Sequence, residues 1–90
     1  MRVAKEIEDR LSAGLAPQRL EIEDQSARHQ GHAGARPEGE SHFQVTIVSA
    51  NFEGMSRIER QRLVYRLLAE QMKNDIHALA LTCKTPGEDV

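Results

Sequence analysis

Val3, Ile7, Leu11 and Leu15 recur every four residues, a spacing that stacks side chains along one face of an α-helix. Gly14 is a stop signal and Pro17 cannot continue a helix, so this element is expected to close there. In RLEIED, residues 19–24, Leu20 and Ile22 alternate with Glu21 and Glu23, the period of a half-buried strand. Residues 25–40 follow no period and contain three Gly and one Pro, which predicts a long, mobile loop. Alternation returns from His42, with Phe43, Val45 and Ile47 facing one way and Gln44 and Thr46 the other. Ser56 and Glu59 form a capping box, in which the serine and a glutamate three residues on satisfy each other's backbone donors. The helix it opens is predicted to reach about Lys73, with Ile58, Val64, Tyr65, Leu68 and Met72 on its apolar face. After Asn74-Asp75, the run IHALALT is apolar on both faces, as expected of a central or parallel strand rather than an exposed edge. The tail KTPGEDV, residues 84–90, is expected to fray.

The order is therefore helix, strand, strand, helix, strand (αββαβ). Two strands in succession pair most simply antiparallel, whereas a helix between neighbouring strands gives a right-handed crossover and a parallel pair. The reading is an α/β (α+β) domain spanning residues 1–90, with a three-stranded mixed sheet and helices packed on one face.

Length and composition agree with one modest core: 90 residues, 39% hydrophobic and 29% charged. No run of about 18 apolar residues is present to span a bilayer. The opening MRVAKEIEDRL has no apolar core of a secretory signal, and one cysteine cannot form an internal disulfide. Both features lead to the expectation of a cytoplasmic protein. Net charge is −2 but uneven. Six acids outnumber four bases in residues 1–24, while Arg57, Arg60, Arg62, Arg66 and Lys73 face only Glu59 and Glu70 in residues 56–73. Such a basic segment is either a solvated helix face or a contact for nucleic acid or an acidic protein.

The four histidines carry the most chemistry. His29, His32 and His42 surround the irregular segment, and His77 opens the last strand. Imidazole is the commonest metal ligand and titrates near neutrality when unperturbed. A closed zinc site needs four N or S ligands, yet the chain has no CxxC pair. Cys83 lies six residues beyond His77 on one extended strand, too far to share an ion, and reads as a small buried hydrophobe. An incomplete site fits better, with His77 and one loop histidine contributing and a partner supplying the rest. His42, just before the inward-facing Phe43, is the most structural of the four.

Catalysis finds no support. Ser41 and His42 are adjacent, so in a strand they point to opposite faces and form no nucleophile–base pair. No GxSxG, P-loop, GxGxxG or HExxH pattern occurs, and the chain reads as a non-enzyme. For nucleic acid, the basic helix suits phosphate contact, but the only aromatics are Phe43, Phe52 and Tyr65, so no stacking platform is evident.

Together, LAPQRLEIEDQS, HQGHAGARPEGESHFQVTIVS, FEGMSRIERQRLVYRLL and IHALALTCKTP resemble the BolA family over nearly the whole chain. The resemblance implies a fold similar to a class II KH domain. It also implies an adaptor that associates with monothiol glutaredoxins and shares a [2Fe–2S] cluster with them. His77, in the HAL motif, corresponds to one family ligand; His32 in GHAGA is the best match for the second, with His29 and His42 as alternates. The glutaredoxin cysteine and a glutathione thiol would complete the set, so no cofactor is expected in the isolated protein. Bacterial family members are also described as DNA-binding transcriptional regulators of morphology and stress, for which Arg57, Arg60, Arg62, Arg66 and Lys73 are the candidates here. The family's Arg-His-Arg triplet reads Arg60-Gln61-Arg62, and Asp89 stands where an aromatic residue is frequent.

Overall fold

A computed structural model of the chain describes residues 2–26 and 39–89. The elements are α1 (Arg2–Leu15), β1 (Arg19–Asp24), β2 (His42–Val48), a 3₁₀ turn at Ala50–Phe52, α2 (Arg57–Leu67), α3 (Ala69–Asn74), β3 (Ala78–Lys84) and a second 3₁₀ turn at Pro86–Glu88. The strands form one sheet in the order β1-β2-β3. β1 runs antiparallel to β2, pairing Leu20 with Ile47 and Ile22 with Val45. β3 runs parallel to β2, pairing Val45 with Leu81 and Ile47 with Cys83. The α+β class and the mixed three-stranded sheet are thus as expected.

The α1 stripe of Val3, Ile7, Leu11 and Leu15 is buried against Phe43, Val45 and Ile47 of β2, together with Phe52, Val64, Leu68 and Ile76. At about 1.5–3 kcal/mol per fully buried large aliphatic or aromatic side chain, this cluster is the main source of stability. α1 runs through Gly14 rather than stopping at it. The left-handed residue that closes the helix is Ala16, at φ 43°, and its N–H donates to Ser12 O at 3.1 Å. The Leu15 carbonyl then accepts from Ser49 Oγ at 2.6 Å and Asn51 Nδ2 at 3.1 Å, which ties the helix end to the segment after β2. Gly14 serves close packing instead, because a Cβ there would meet Leu67 Cδ2 at 2.7 Å.

Four further expectations are corrected. The helix predicted to reach Lys73 bends at Leu68 (φ −103°, ψ 18°), dividing α2 from α3. The hydrogen-bond ladder passes through the bend, from Leu68 N–H to Val64 O and from Met72 N–H to Leu68 O, so the rod is angled rather than ended. Its buried stripe is Val64, Leu68 and Gln71, whereas Ile58 is 59% and Tyr65 39% exposed. Two neighbouring apolar stripes share the 3.6-residue period, and periodicity alone does not choose between them.

β3 is parallel, as expected, but it is an edge strand, and β2 is the central one. Its double-sided apolar character comes from Leu79, Leu81 and Cys83 packing on the core, while the other parity carries the small, exposed Ala78 and Ala80. α2 covers part of the open edge: Tyr65 Oη donates to Leu79 O at 3.3 Å and Arg60 Nη1 to Cys83 O at 3.2 Å.

Residues 84–89 do not fray. Thr85 and Glu88 form a capping box, Glu88 bridges Arg60 at 2.6 Å, and Asp89 bridges Arg19 at 2.7 Å. Arg60 and Thr85 N–H together hold the Glu88 carboxyl down at about 2.

Candidate functional site

β2 and β3 are parallel, so both begin at the same end of the sheet, and this brings His42 and His77 together. His42 pairs in register with Ala78, and the His77 and Ala78 N–H groups donate to Ser41 O at 2.7 and 3.2 Å. The two imidazoles lie with ring centroids 5.3 Å apart and planes tilted by 49°. His77 is exposed, whereas His42 is 6% exposed. Beside the pair opens a cleft of about 290 Å³ lined by Gln25, His42, Phe43, Ala78, Leu79 and Ala80.

A buried serine pair supports this corner, and sequence reasoning does not find it. Ser26 and Ser41 are 2% and 0% exposed. Ser26 Oγ accepts from Ser41 N–H at 2.9 Å and His42 N–H at 3.2 Å, and lies 3.3 Å from Ser41 Oγ. Ser41 Oγ in turn lies 2.9 Å from His42 Nδ1. The expectation that Ser41 and His42 point to opposite faces is therefore corrected. Strand alternation begins only at His42, and Ser41 occupies the bend before it. The Ser41 hydroxyl is buried between Ser26 Oγ and His42 Nδ1. The one sequence signal for this pair is a serine directly preceding a histidine at a strand entrance.

The corner is also fixed from outside. Asp24 Oδ1 accepts from Ser26 N–H at 2.9 Å and Asp24 Oδ2 from Glu40 N–H at 3.0 Å, bracketing the segment between β1 and β2. Glu40 Oε2 accepts from Ala4 N–H at 3.0 Å, placing a carboxylate on the first turn of α1, where unsatisfied N–H groups favour negative charge.

His29 and His32 lie outside the described residues, as does the expectation of mobility for most of the 25–40 segment. Among the described residues, no group of three or more His, Cys, Asp or Glu is placed to hold a metal ion. Among the described residues the corner brings together two imidazoles, those of His42 and His77, a set that fits the edge of a cluster completed from elsewhere and does not fit a closed metal site. Cys83 does not join it. Burial pushes its thiol above the ordinary value, with Arg60 opposing, which favours an inert thiol packed beside the core.

The basic candidates separate into two kinds. Arg57, Arg62, Arg66 and Lys73 are exposed. Arg60 is not an open cation: its guanidinium donates to Met55 O at 3.0 Å, Cys83 O and Glu88, and lies 5.8 Å from the Phe52 ring centre. It pins α2, β3 and the tail together. Glu70 reaches Arg10 at 3.4 Å, and Glu59 is occupied by the capping box. Among the described residues, no helix is long and apolar enough to cross a membrane.

The chain as a whole is similar to known proteins. A family profile described as BolA-like protein matches residues 11–88. The chain is 47% identical over 87 residues to "Protein BOLA1, chloroplastic" of Arabidopsis thaliana, covering 94% of this chain and 54% of the relative. It is 42% identical over 88 residues to "DNA-binding transcriptional regulator BolA" of Escherichia coli, covering 98% and 80%. It also resembles "SufE-like protein 1, chloroplastic/mitochondrial" of Arabidopsis thaliana, at 44% identity over 91% of this chain and 23% of that protein. The chain thus spans about half the length, or less, of several relatives it matches. Among solved structures, BolA1 from Arabidopsis thaliana superposes with a TM-score of 0.89 at 41% identity, covering 100% of this chain and 99% of that one.

Proposed function

The chain belongs to the BolA family, and on that premise we propose that it is an adaptor that pairs with a monothiol glutaredoxin and shares a [2Fe–2S] cluster in iron–sulfur trafficking or iron sensing. The observation that supports this reading best is the incomplete histidine corner. His77 stands exposed at the entrance of β3, its backbone fixed by Ser41 O. The protein's part is to present that imidazole in a fixed place; His32, by its position in GHAGA, is proposed as the second donor. The cluster, when held, would supply redox and iron–sulfur transfer chemistry, and the partner's thiolates would complete its ligand set. Histidine in place of thiolate raises the potential of such centres. A reducing, cytoplasm-like compartment is proposed because the single thiol needs no partner, and no catalytic role is assigned.

The test is spectroscopic. Mixed with cluster-loaded monothiol glutaredoxin and glutathione, the protein is expected to form a heterodimer with an altered visible spectrum. His77→Ala should abolish the alteration and His32→Ala should weaken it. An unaltered response in the His77→Ala protein would remove His77 as a ligand.

A second reading, direct DNA contact, is favoured by the name of the Escherichia coli relative and by four exposed cations. Arg62 and Arg66 are its carriers, with Arg57 and Lys73 flanking; Arg60 is excluded by its internal bonds. Neutralising Arg62 and Arg66 together should lower the log–log salt slope of DNA binding by about 2. An unchanged slope would remove this face from the mechanism.

A further inference from the structure

We propose that Ser26 and Ser41 form a proton-ordering relay that fixes His42 as the Nε2–H tautomer, making His42 a positioning residue for His77 and not itself a ligand. The inference rests on the adaptor reading above for its functional consequence, and on hydrogen-bond bookkeeping for its chemistry. Ser26 Oγ already accepts from two backbone N–H groups, those of Ser41 and His42. A hydroxyl has two acceptor lone pairs and one proton, so the Ser26 proton is directed to its neighbour, Ser41 Oγ. Ser41 Oγ, receiving that proton, directs its own to His42 Nδ1 at 2.9 Å. A neutral imidazole that accepts at Nδ1 carries its hydrogen on Nε2.

Two consequences follow for the corner. Metal ligation needs a nitrogen lone pair, and in this state Nδ1 is committed to Ser41 while Nε2 bears hydrogen. His42 could ligate only by moving its proton to Nδ1 and breaking the relay among buried hydroxyls, which leaves polar groups unsatisfied at about 1–3 kcal/mol each. Its ring instead forms a fixed wall 5.3 Å from that of His77. The same Ser41 also holds the His77 backbone through its carbonyl, so one residue orders both histidines. Groups that orient a ligand from behind typically change metal affinity 10–100-fold when removed.

The experiment uses full-length protein with ¹⁵N-labelled histidine, without and with cluster-loaded glutaredoxin. In the partner-free protein, long-range ¹H–¹⁵N correlation spectra near neutral pH should show His42 as the Nε2–H tautomer. Ser41→Ala should convert it to a mixture and shift the His77 ring signals; Ser41→Thr, which keeps the hydroxyl, should restore the wild-type pattern. Ser26→Ala supplies the same test should Ser41→Ala fail to fold. With the partner, Ser41→Ala should weaken pairing about 10-fold, whereas His42→Phe should keep the wild-type visible spectrum at reduced affinity. The proposal is overturned by His42 found as Nδ1–H or doubly protonated, by His77 signals indifferent to Ser41→Ala, or by a His42→Phe spectrum matching that of His77→Ala. If wild-type protein forms no complex, the adaptor reading falls, and the partner-free spectra still decide the relay.

Discussion

Replacing Gly14 with alanine sets two effects of opposite sign against each other, and the structure decides between them. In an open helix the change would stabilise by up to about 1 kcal/mol, because glycine carries the larger backbone entropy cost. Here the new Cβ would meet Leu67 Cδ2 at 2.7 Å, Cδ1 at 2.8 Å and Cγ at 3.3 Å. Both methyls crowd the position, so turning Leu67 about χ2 exchanges one clash for the other. Relief requires moving the whole side chain or shifting α2 away from α1. Overpacking of this kind costs about 1–3 kcal/mol, which outweighs the propensity gain. The expected net loss is about 1 kcal/mol, or roughly 4–8 °C in Tm for a domain of this size. Leu67→Ala removes the obstacle, so the double variant should be more stable than the sum of the singles by at least about 1 kcal/mol. Urea unfolding of the four proteins measures this directly. A Gly14→Ala protein stabilised by the full propensity gain, with no coupling to Leu67, would refute the argued contact.

Ala16 occupies the left-handed position that closes α1, so Ala16→Gly should raise stability by about 0.5–1 kcal/mol, read from the thermal midpoint. Glu88 is held at about 2, below the ordinary 4.5, by Arg60 and Thr85, so its contribution is full above the ordinary value and is lost as pH falls toward the folded one. The Tm gap between wild type and Glu88→Gln should therefore be present near neutral pH and close across that acid window; a constant gap would break the assignment. The Cys83 thiol, raised by burial, should alkylate slowly with iodoacetamide in the folded protein and rapidly in denaturant.

The parts of this fold that are legible in the sequence are those encoded within one element. The α1 stripe, the alternation of Leu20 and Ile22, and the Ser56–Glu59 box each need only neighbours three or four residues away or fewer, and each is found in place. What escapes local reading depends on distant partners. IHALALT carries no mark of being an edge, because Tyr65 and Arg60 cover its open side from another element. KTPGEDV looks unanchored until Arg60 and Arg19 arrive from 28 and 70 residues away. The site divides the same way. His77 is found from its motif, but its closeness to His42 follows from parallel pairing, and the Ser26–Ser41 support joins residues 15 apart across the segment between the first two strands.

The parallel pairing of β2 with β3 also sets when the two-histidine corner exists during folding. β1 and β2 can pair without the second half of the chain, but β3 reaches β2 only after α2 and α3 have made the crossover. Pairing across this crossover costs loop-closure entropy that the packing of α2 and α3 on α1 offsets in part, and β3 follows β1 and β2 in the chain. Until β3 docks on β2, the imidazole of His77 is not held beside that of His42. The corner depends on the closing strand, so a domain in which β3 is not paired with β2 has no two-histidine corner to offer a partner.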